Sequence, residues 1–368
     1  SSLTHITRLI PYTFEKFMIL DSSTVRNLEL TETMREKQKK GSLLWVLDKT
    51  KTAMGARLLR NYIEQPLIEC NLIKERLEAV REFKENMITR EEMREYLNPI
   101  YDLERLMSKI SYKSANPRDL IAFGSSLSML PHIKFLLKSF ETVLIKDIYE
   151  QLDPLEDNYD LIQKSIVEEP PLLVKEGGII KTGYNEDVDR LRKAKTEGKT
   201  WLMELEEKER EATGIKNLRI KYNRVFGYYL EVTNSYKDLV PDTWTRKQTL
   251  ANAERYSTPK LKELEDIILG AEDRLFSLEY DLFCEIRDQI ALEVKRIQQT
   301  AKAIARLDVF TSLALVAEQN NYVEPKINTS GSISIKNGRH PVVEKMMTND
   351  MFVANDTLLD NKENRVSI

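Results

Sequence analysis

Only two cysteines, Cys70 and Cys284, occur in 368 residues, far apart and each inside an apolar, helical-looking stretch. That excludes a disulfide framework and a thiolate metal site, and both are expected to be buried thiols in a reducing compartment. The three histidines, His5, His132 and His340, are scattered without metal-ligand spacing, so no metal site is expected. No run of ~18 apolar residues is present to cross a membrane. The N-terminal SSLTHITRLIPY lacks a charged segment followed by an apolar core, so neither a signal segment nor a membrane partner is expected. A basic excess is missing too, since 56 Lys and Arg face 59 Asp and Glu for a formal net charge of −3. A uniformly basic nucleic-acid binder is thereby excluded, and any basic surface must be local.

Catalytic signatures are equally scarce. There is no Gly-rich phosphate loop, His-Glu-x-x-His, nucleophile elbow or Ser/His/Asp set. Paired acids such as Glu206-Glu207 and Glu168-Glu169 read as solvated charge. This stretch of chain is expected to have no catalytic residue, metal or cofactor of its own and not to be an enzyme alone.

Glycine and proline number only 12 each, and apolar residues recur at helical spacing over long spans, so the fold is expected to be mainly α. Phe17 to Asp21 and Val25 to Leu30 suggest one short strand or two. Helical stripes then run over Ser42 to Leu58, Leu72 to Glu85, Arg90 to Leu97, Tyr101 to Ser111, Arg118 to Leu130 and Ile133 to Phe140, a bundle of short helices. EEPPLLVKEGGIIK, from Glu168, is an organisational break with a turn and a small extended segment. Tyr184 to Thr213 follows as a long helix, with Asn185 as N-cap and Gly214 just past its end.

The periodicity then switches to two. Leu218 to Thr233 reads as a strand pair turning at Arg224 to Gly227, with Arg219, Lys221 and Asn223 on one face, and Thr243 to Leu250 as a further strand. Thr258 caps a second long helix with Pro259 at its first position, and a stripe from Leu261 to Ile297 carries it, with a break expected near Asp308. Short connections make the two long helices antiparallel, with the β unit at their tip.

Charge singles out that tip. Between Gly214 and Lys260 lie nine basic residues and four acidic ones, while the whole chain carries −3, so positive charge is concentrated on the β unit. Arg219, Lys221, Asn223, Arg224, Arg246, Lys247, Thr249, Asn252 and Arg255 mix cations with neutral hydrogen-bonding groups, which suits phosphate contacts. An ordinary solvated strand face is the other reading of the same residues. Tyr228, Tyr229 and Tyr256 read as packing aromatics.

Seven segments in order, VRNLELTET, VLDKTKTAMGARLLRNYIEQPL, DLERLMSKISYKSANPRDL, EEPPLLVKEGGIIKTGYNEDVDRLR, NRVFGYYLEV, RKQTLANAERYSTPKLKELE and NGRHPVVEKM, resemble the bacterial MutS family over nearly the whole chain. The resemblance implies a DNA mismatch-repair core in which lever helices connect an ATPase to a clamp on the DNA backbone. It places a connector tail and entry to the core at 1–30, a helical core (lever) domain at 31–184, the clamp arm and β clamp at 185–260, returning lever helices at 261–325 and the start of a truncated ATPase domain at 326–368. Phe352 matches the family's adenine-stacking position, although an apolar anchor is the alternative there. ATP and magnesium belong to the full-length family, as do mismatched duplex DNA, a homodimer and the repair partner MutL, in the bacterial cytoplasm at the nucleoid. The abrupt start at Ser1 and the closing NRVSI, which reads as a strand, make a fragment the expectation. A helical scaffold for protein interactions, or a MutS relative acting in recombination, are the competing functions.

Overall fold

The computed structural model describes residues 16–173, 177–347 and 351–366. His5 with the SSLTHITRLIPY segment, Val174 to Glu176 of the organisational break, and Ser367 and Ile368 of NRVSI lie outside the described residues; Asn364 to Val366 form no strand. Two compact units emerge. One comprises Ser1–Ala115, Asp119–Asp160 and Asp288–Ile368, the other Asn116–Arg118 and Leu161–Arg287.

The first unit begins differently from the expected strands. Phe17 makes a single bridge to Leu67, and α1 (Ser22–Asn27) follows because the Asp21 side chain accepts from the Thr24 N–H at 2.6 Å, an N-cap that favours a helical turn. The helix expected across 42–58 is interrupted. α2 (Leu43–Leu47) ends at Asp48, whose carboxylate accepts from the Thr50 N–H, and α3 (Ala53–Glu64) restarts after the N-cap Thr52. Next come α4 (Cys70–Glu85), α5 (Met87–Leu97), α6 (Leu103–Ser111), α7 (Pro117–Leu127) and α8 (Leu130–Leu137). Residues 117–137 are long and apolar enough as a stretch to cross a membrane. They run instead as two helices that bury Leu120, Phe123, Leu127, Leu130, Ile133 and Leu137 inside the protein. Two further helices, α9 (Val143–Gln151) and α10 (Glu156–Ser165), lie where no stripe was expected.

After α11 (Glu186–Thr213) and α12 (Pro259–Leu292), the chain does not break near Asp308. It breaks at Glu293, and α13 (Val294–Gln319) runs straight through Asp308. α13 is the axis of its unit, packed by α2, α3, α4, α5, α6 and α9. Its stripe drifts around the helix because neighbours cover it on several sides, so Ile297, Ala301, Ile304, Leu307, Phe310 and Ala314 are all fully buried. The unit closes with a two-stranded antiparallel ribbon and α14 (Pro341–Met346) between its strands. Cys70 and Cys284 are free and half-buried, less enclosed than their apolar surroundings suggested.

The second unit is built on α11 and α12. Asn185 accepts from the N–H groups of Asp187 and Val188, and Gly214 ends α11 in the left-handed region at φ 70°. The pairs Arg192 with Glu279, Lys195 with Glu272 at 2.5 Å, and Gly198 with Ile268 advance along one helix while retreating along the other, so the helices are antiparallel. Gly198 permits that approach. A Cβ there would stand 2.5 Å from the Ile268 side chain.

Candidate nucleic-acid interface

Between the two long helices the chain folds into a four-stranded antiparallel sheet of order β1-β2-β4-β3. Its strands are β1 (Arg219–Asn223), β2 (Gly227–Thr233), β3 (Thr245–Thr249) and β4 (Ala253–Ser257), with a 3-10 turn at Asn234–Leu239. The fourth strand escaped sequence reading because AERYS has no clean polar and apolar alternation. Gly227, at φ 71°, makes the β1–β2 turn, and a Cβ there would meet the Glu265 carboxylate at 2.4 Å.

Register sorts the side chains. Ile220, Leu230 and Tyr256 stand in one cross-strand row, and with Val232 they pack into an apolar cluster with Leu202, Leu205, Leu261, Leu264 and Ile268 of the helices. Burying such side chains stabilises by about 1.5–3 kcal/mol each, which fixes the sheet on the helix ends. The opposite face carries the row Arg219, Glu231, Arg255 and Gln248, with Lys221 two residues along β1.

The nine residues singled out in the sequence therefore divide. Arg219, Lys221 and Arg255 share the polar face. Arg219 pairs with Glu206 at 3.3 Å and Lys221 with Glu231 at 2.7 Å, both remaining more than half exposed. Arg255 is tightly held: its guanidinium lies 4.3 Å over the Tyr229 ring and donates to Gln248 Oε1 at 2.7 Å. Asn223 shapes the turn, its Oδ1 accepting from the Val225 N–H at 2.8 Å, and beside it Arg224 is exposed with no ion pair among the described residues. Arg246 lies on the other face, 3.6 Å from Glu254. Lys247 occupies the β3 bulge and donates to the Phe226 carbonyl at 2.9 Å. Thr249 and Asn252 are exposed near the β3–β4 connection.

Sequence counting missed the carboxylates that hold these cations. Glu254, almost fully buried, takes Lys237 at 2.8 Å, Arg246 and the Tyr256 hydroxyl. The Lys237 ammonium, with Tyr256, holds the Glu254 carboxyl below its usual range, while burial and the bond to Glu254 push the Tyr256 phenol up to about 12. Also missed was a rim of neutral donors and acceptors on three adjoining connections. Asn217 donates to Thr233 Oγ1 at 2.8 Å, Thr233 and Ser235 hydroxyls lie 3.0 Å apart, and Asn234 donates to the Ala251 carbonyl at 3.0 Å. Lys216 stands next to this rim, exposed and without an ion pair among the described residues. Closeness in sequence of Asn, Thr and Ser at 233–235 was the available signal.

Phe352 is half-buried ahead of the short strand Asn355–Leu359. No cluster of His, Cys, Asp or Glu that could hold a metal occurs among the described residues.

The family described as MutS domain III matches residues 23–314. The DNA mismatch repair protein MutS of Lachnoclostridium phytofermentans is 70% identical over 368 residues, all of this chain and 40% of that protein. Those of Acetivibrio thermocellus and Ruminiclostridium cellulolyticum are 55% and 56% identical over 367 residues, each alignment covering 42% of the relative. The chain thus spans about 40% of the length of these relatives.

Proposed function

The chain belongs to the MutS family, and from that premise we propose that it is the part of a mismatch-repair protein that grips duplex DNA by its phosphates. One observation carries the reading. Between Gly214 and Lys260, in a chain of net charge −3, lie nine basic residues against four acidic, five of the nine on the strands of one small sheet edged with amides and hydroxyls. Such a mixture positions a duplex without reading its bases. Lys216 and Arg224, which carry no ion pair among the described residues, take phosphates first, and Asn217, Asn234, Ser235, Thr249 and Asn252 supply neutral hydrogen bonds. Arg219, Lys221, Arg246, Lys247 and Arg255 add the surrounding field.

In the whole protein, mismatch reading and ATP hydrolysis with magnesium belong to other segments, with Phe352 stacking on adenine once those segments complete its pocket. α11 and α12 act as lever arms, a homodimer closes around the duplex, MutL is the downstream partner, and the site of action is the bacterial cytoplasm at the nucleoid. Residues 31–184 then serve as the core, 185–260 as the clamp and 326–368 as the entry to the ATPase. A salt series with matched and mismatched duplexes tests the reading on this chain. Equal binding to both, falling steeply with salt, is expected; clear mismatch preference overturns the division of labour.

A scaffold role for helices alone is the second reading, favoured by the internal carboxylates that already satisfy most of the cations. Charge reversal at Arg246 and Lys247 separates the two. It weakens DNA binding and flattens the salt slope under the first and leaves assembly untouched under the second.

A further inference from the structure

We infer that Glu231 is a built-in brake on the grip of this sheet, a carboxylate that withholds cations from DNA and keeps binding weak and reversible; the inference rests on the phosphate-gripping reading above. Glu231 stands in the central strand β2 on the polar face, in one row with Arg219 on its β1 side and Arg255 on its β4 side. Its Oε1 lies 2.7 Å from Lys221 Nζ, and its Oε2 lies 3.8 Å from Arg255 Nε, a buried nitrogen that makes no hydrogen bond among the described residues. A single negative charge thus faces three positive ones on the surface that would meet phosphate.

The other two carboxylates that hold the sheet's cations, Glu206 of α11 and Glu254 of β4, have structural partners. Glu206 accepts from the Ile220 backbone N–H at 2.8 Å, and Glu254 is buried against the Tyr256 hydroxyl. Among the described residues the Glu231 carboxylate has neither a backbone nor a hydroxyl partner. Its polar contacts among the described residues are to the cations Lys221 and Arg255. Removing its charge therefore leaves the fold's hydrogen bonds in place, while Arg255 stays held by Gln248 and Tyr229. What changes is Lys221, half-exposed and free to swing its ammonium to a phosphate.

The test is duplex binding by the full chain over a salt series, comparing the unaltered protein with Glu231→Gln, Lys221→Gln, the double variant, and Asp238→Asn. Asp238 is an exposed acid of the same unit with no ion pair among the described residues, so its variant reports the effect of one charge anywhere. Glu231→Gln is expected to bind about tenfold tighter at low salt and to steepen the log-log salt slope by about one, as one more phosphate contact requires. The gain should exceed that of Asp238→Asn and vanish in the double variant. Unchanged or weaker binding by Glu231→Gln, or a gain that Asp238→Asn matches, overturns the brake. Should Glu231→Gln fold poorly, Lys221→Gln alone decides: a loss smaller than that of Arg224→Gln is expected, and an equal or larger one refutes the inference. Absence of any salt-dependent binding by the unaltered chain instead removes the DNA reading, and the brake with it.

Discussion

Asp308, in the middle of α13, caps the start of α3 from more than 250 positions away: its Oδ2 accepts from the Thr52 N–H and the Thr52 hydroxyl, each at 2.7 Å. The Lys51 N–H adds a bond at 2.9 Å to Oδ1, and the adjoining loop is tied by Ser312, which accepts from the Lys49 N–H at 2.8 Å, and by Arg94, which donates to the Lys49 carbonyl at 2.6 Å. Each buried donor left unsatisfied costs about 1–3 kcal/mol, so Asp308→Ala should destabilise this unit by on the order of 3 kcal/mol or more. Urea unfolding measures it, and a loss below about 1 kcal/mol would show that the loop finds other partners.

Gly55 gives the same contact a second test. A Cβ at this position would stand 2.2 Å from Asp308 Oδ2. Although alanine is the better helix former, Gly55→Ala should cost about 1–3 kcal/mol through the clash. In an Asp308→Ala background the carboxylate is gone and only the residue 308 Cβ, 2.8 Å away, still crowds the new methyl, so the cost should shrink. Additive losses would place the strain elsewhere.

The interruption that Asp308 braces was hidden by the periodicity. VLDKTKTAMGARLLR carries one helical stripe; the Asp48 turn and the Thr52 N-cap that split it are local, but the carboxylate that holds them is distant in sequence. By contrast, Asn185 and Gly214 marked the ends of α11 correctly, because a cap and a left-handed residue are properties of the adjacent chain. The two-residue period exposed β1 and β2, but β4 became a central strand through pairing on both sides rather than through its own pattern. Charge counting located the basic unit but took Glu231 and Glu254 only as subtractions from its charge and Glu206 as solvated, whereas Glu206 is largely buried against Arg210, Arg219 and the Ile220 N–H; an internal ion pair depends on which elements become neighbours.

Acid should loosen both units through carboxylates whose folded pKa is depressed. The Arg57 guanidinium holds Asp102 below 3.8, bonding both oxygens at 2.7 and 2.9 Å, and Lys237 holds Glu254 below 4.5. A depressed folded pKa means that the stabilisation is present above the unfolded value and is lost as pH falls through the folded one. Asp308 runs the other way. Burial raises its carboxyl above 3.8, so its proton linkage favours the fold at low pH and that contribution fades as pH rises through the folded value. Arg57→Gln should therefore flatten the acid limb of the stability profile, whereas Asp308→Asn should flatten the decline above pH 3.8. An unchanged profile in both variants would refute the assignment.

At the alkaline end Tyr256 provides a local probe of the sheet. Its phenol is pushed up to about 12 by burial and by the hydrogen bond to Glu254. A raised folded pKa gives stabilisation that is complete below the ordinary value of 10 and lost as pH climbs through about 12. Glu254→Gln removes the charge that opposes phenolate formation while leaving burial in place, so one tyrosine should titrate earlier by tyrosinate absorbance. Tyr256→Phe should abolish that shift and cost about 1 kcal/mol for the lost hydrogen bond. If Glu254→Gln leaves the tyrosinate titration unmoved, the hydroxyl is held by burial alone, and Glu254 serves chiefly to pin Lys237 and Arg246 against the β3 side of the sheet.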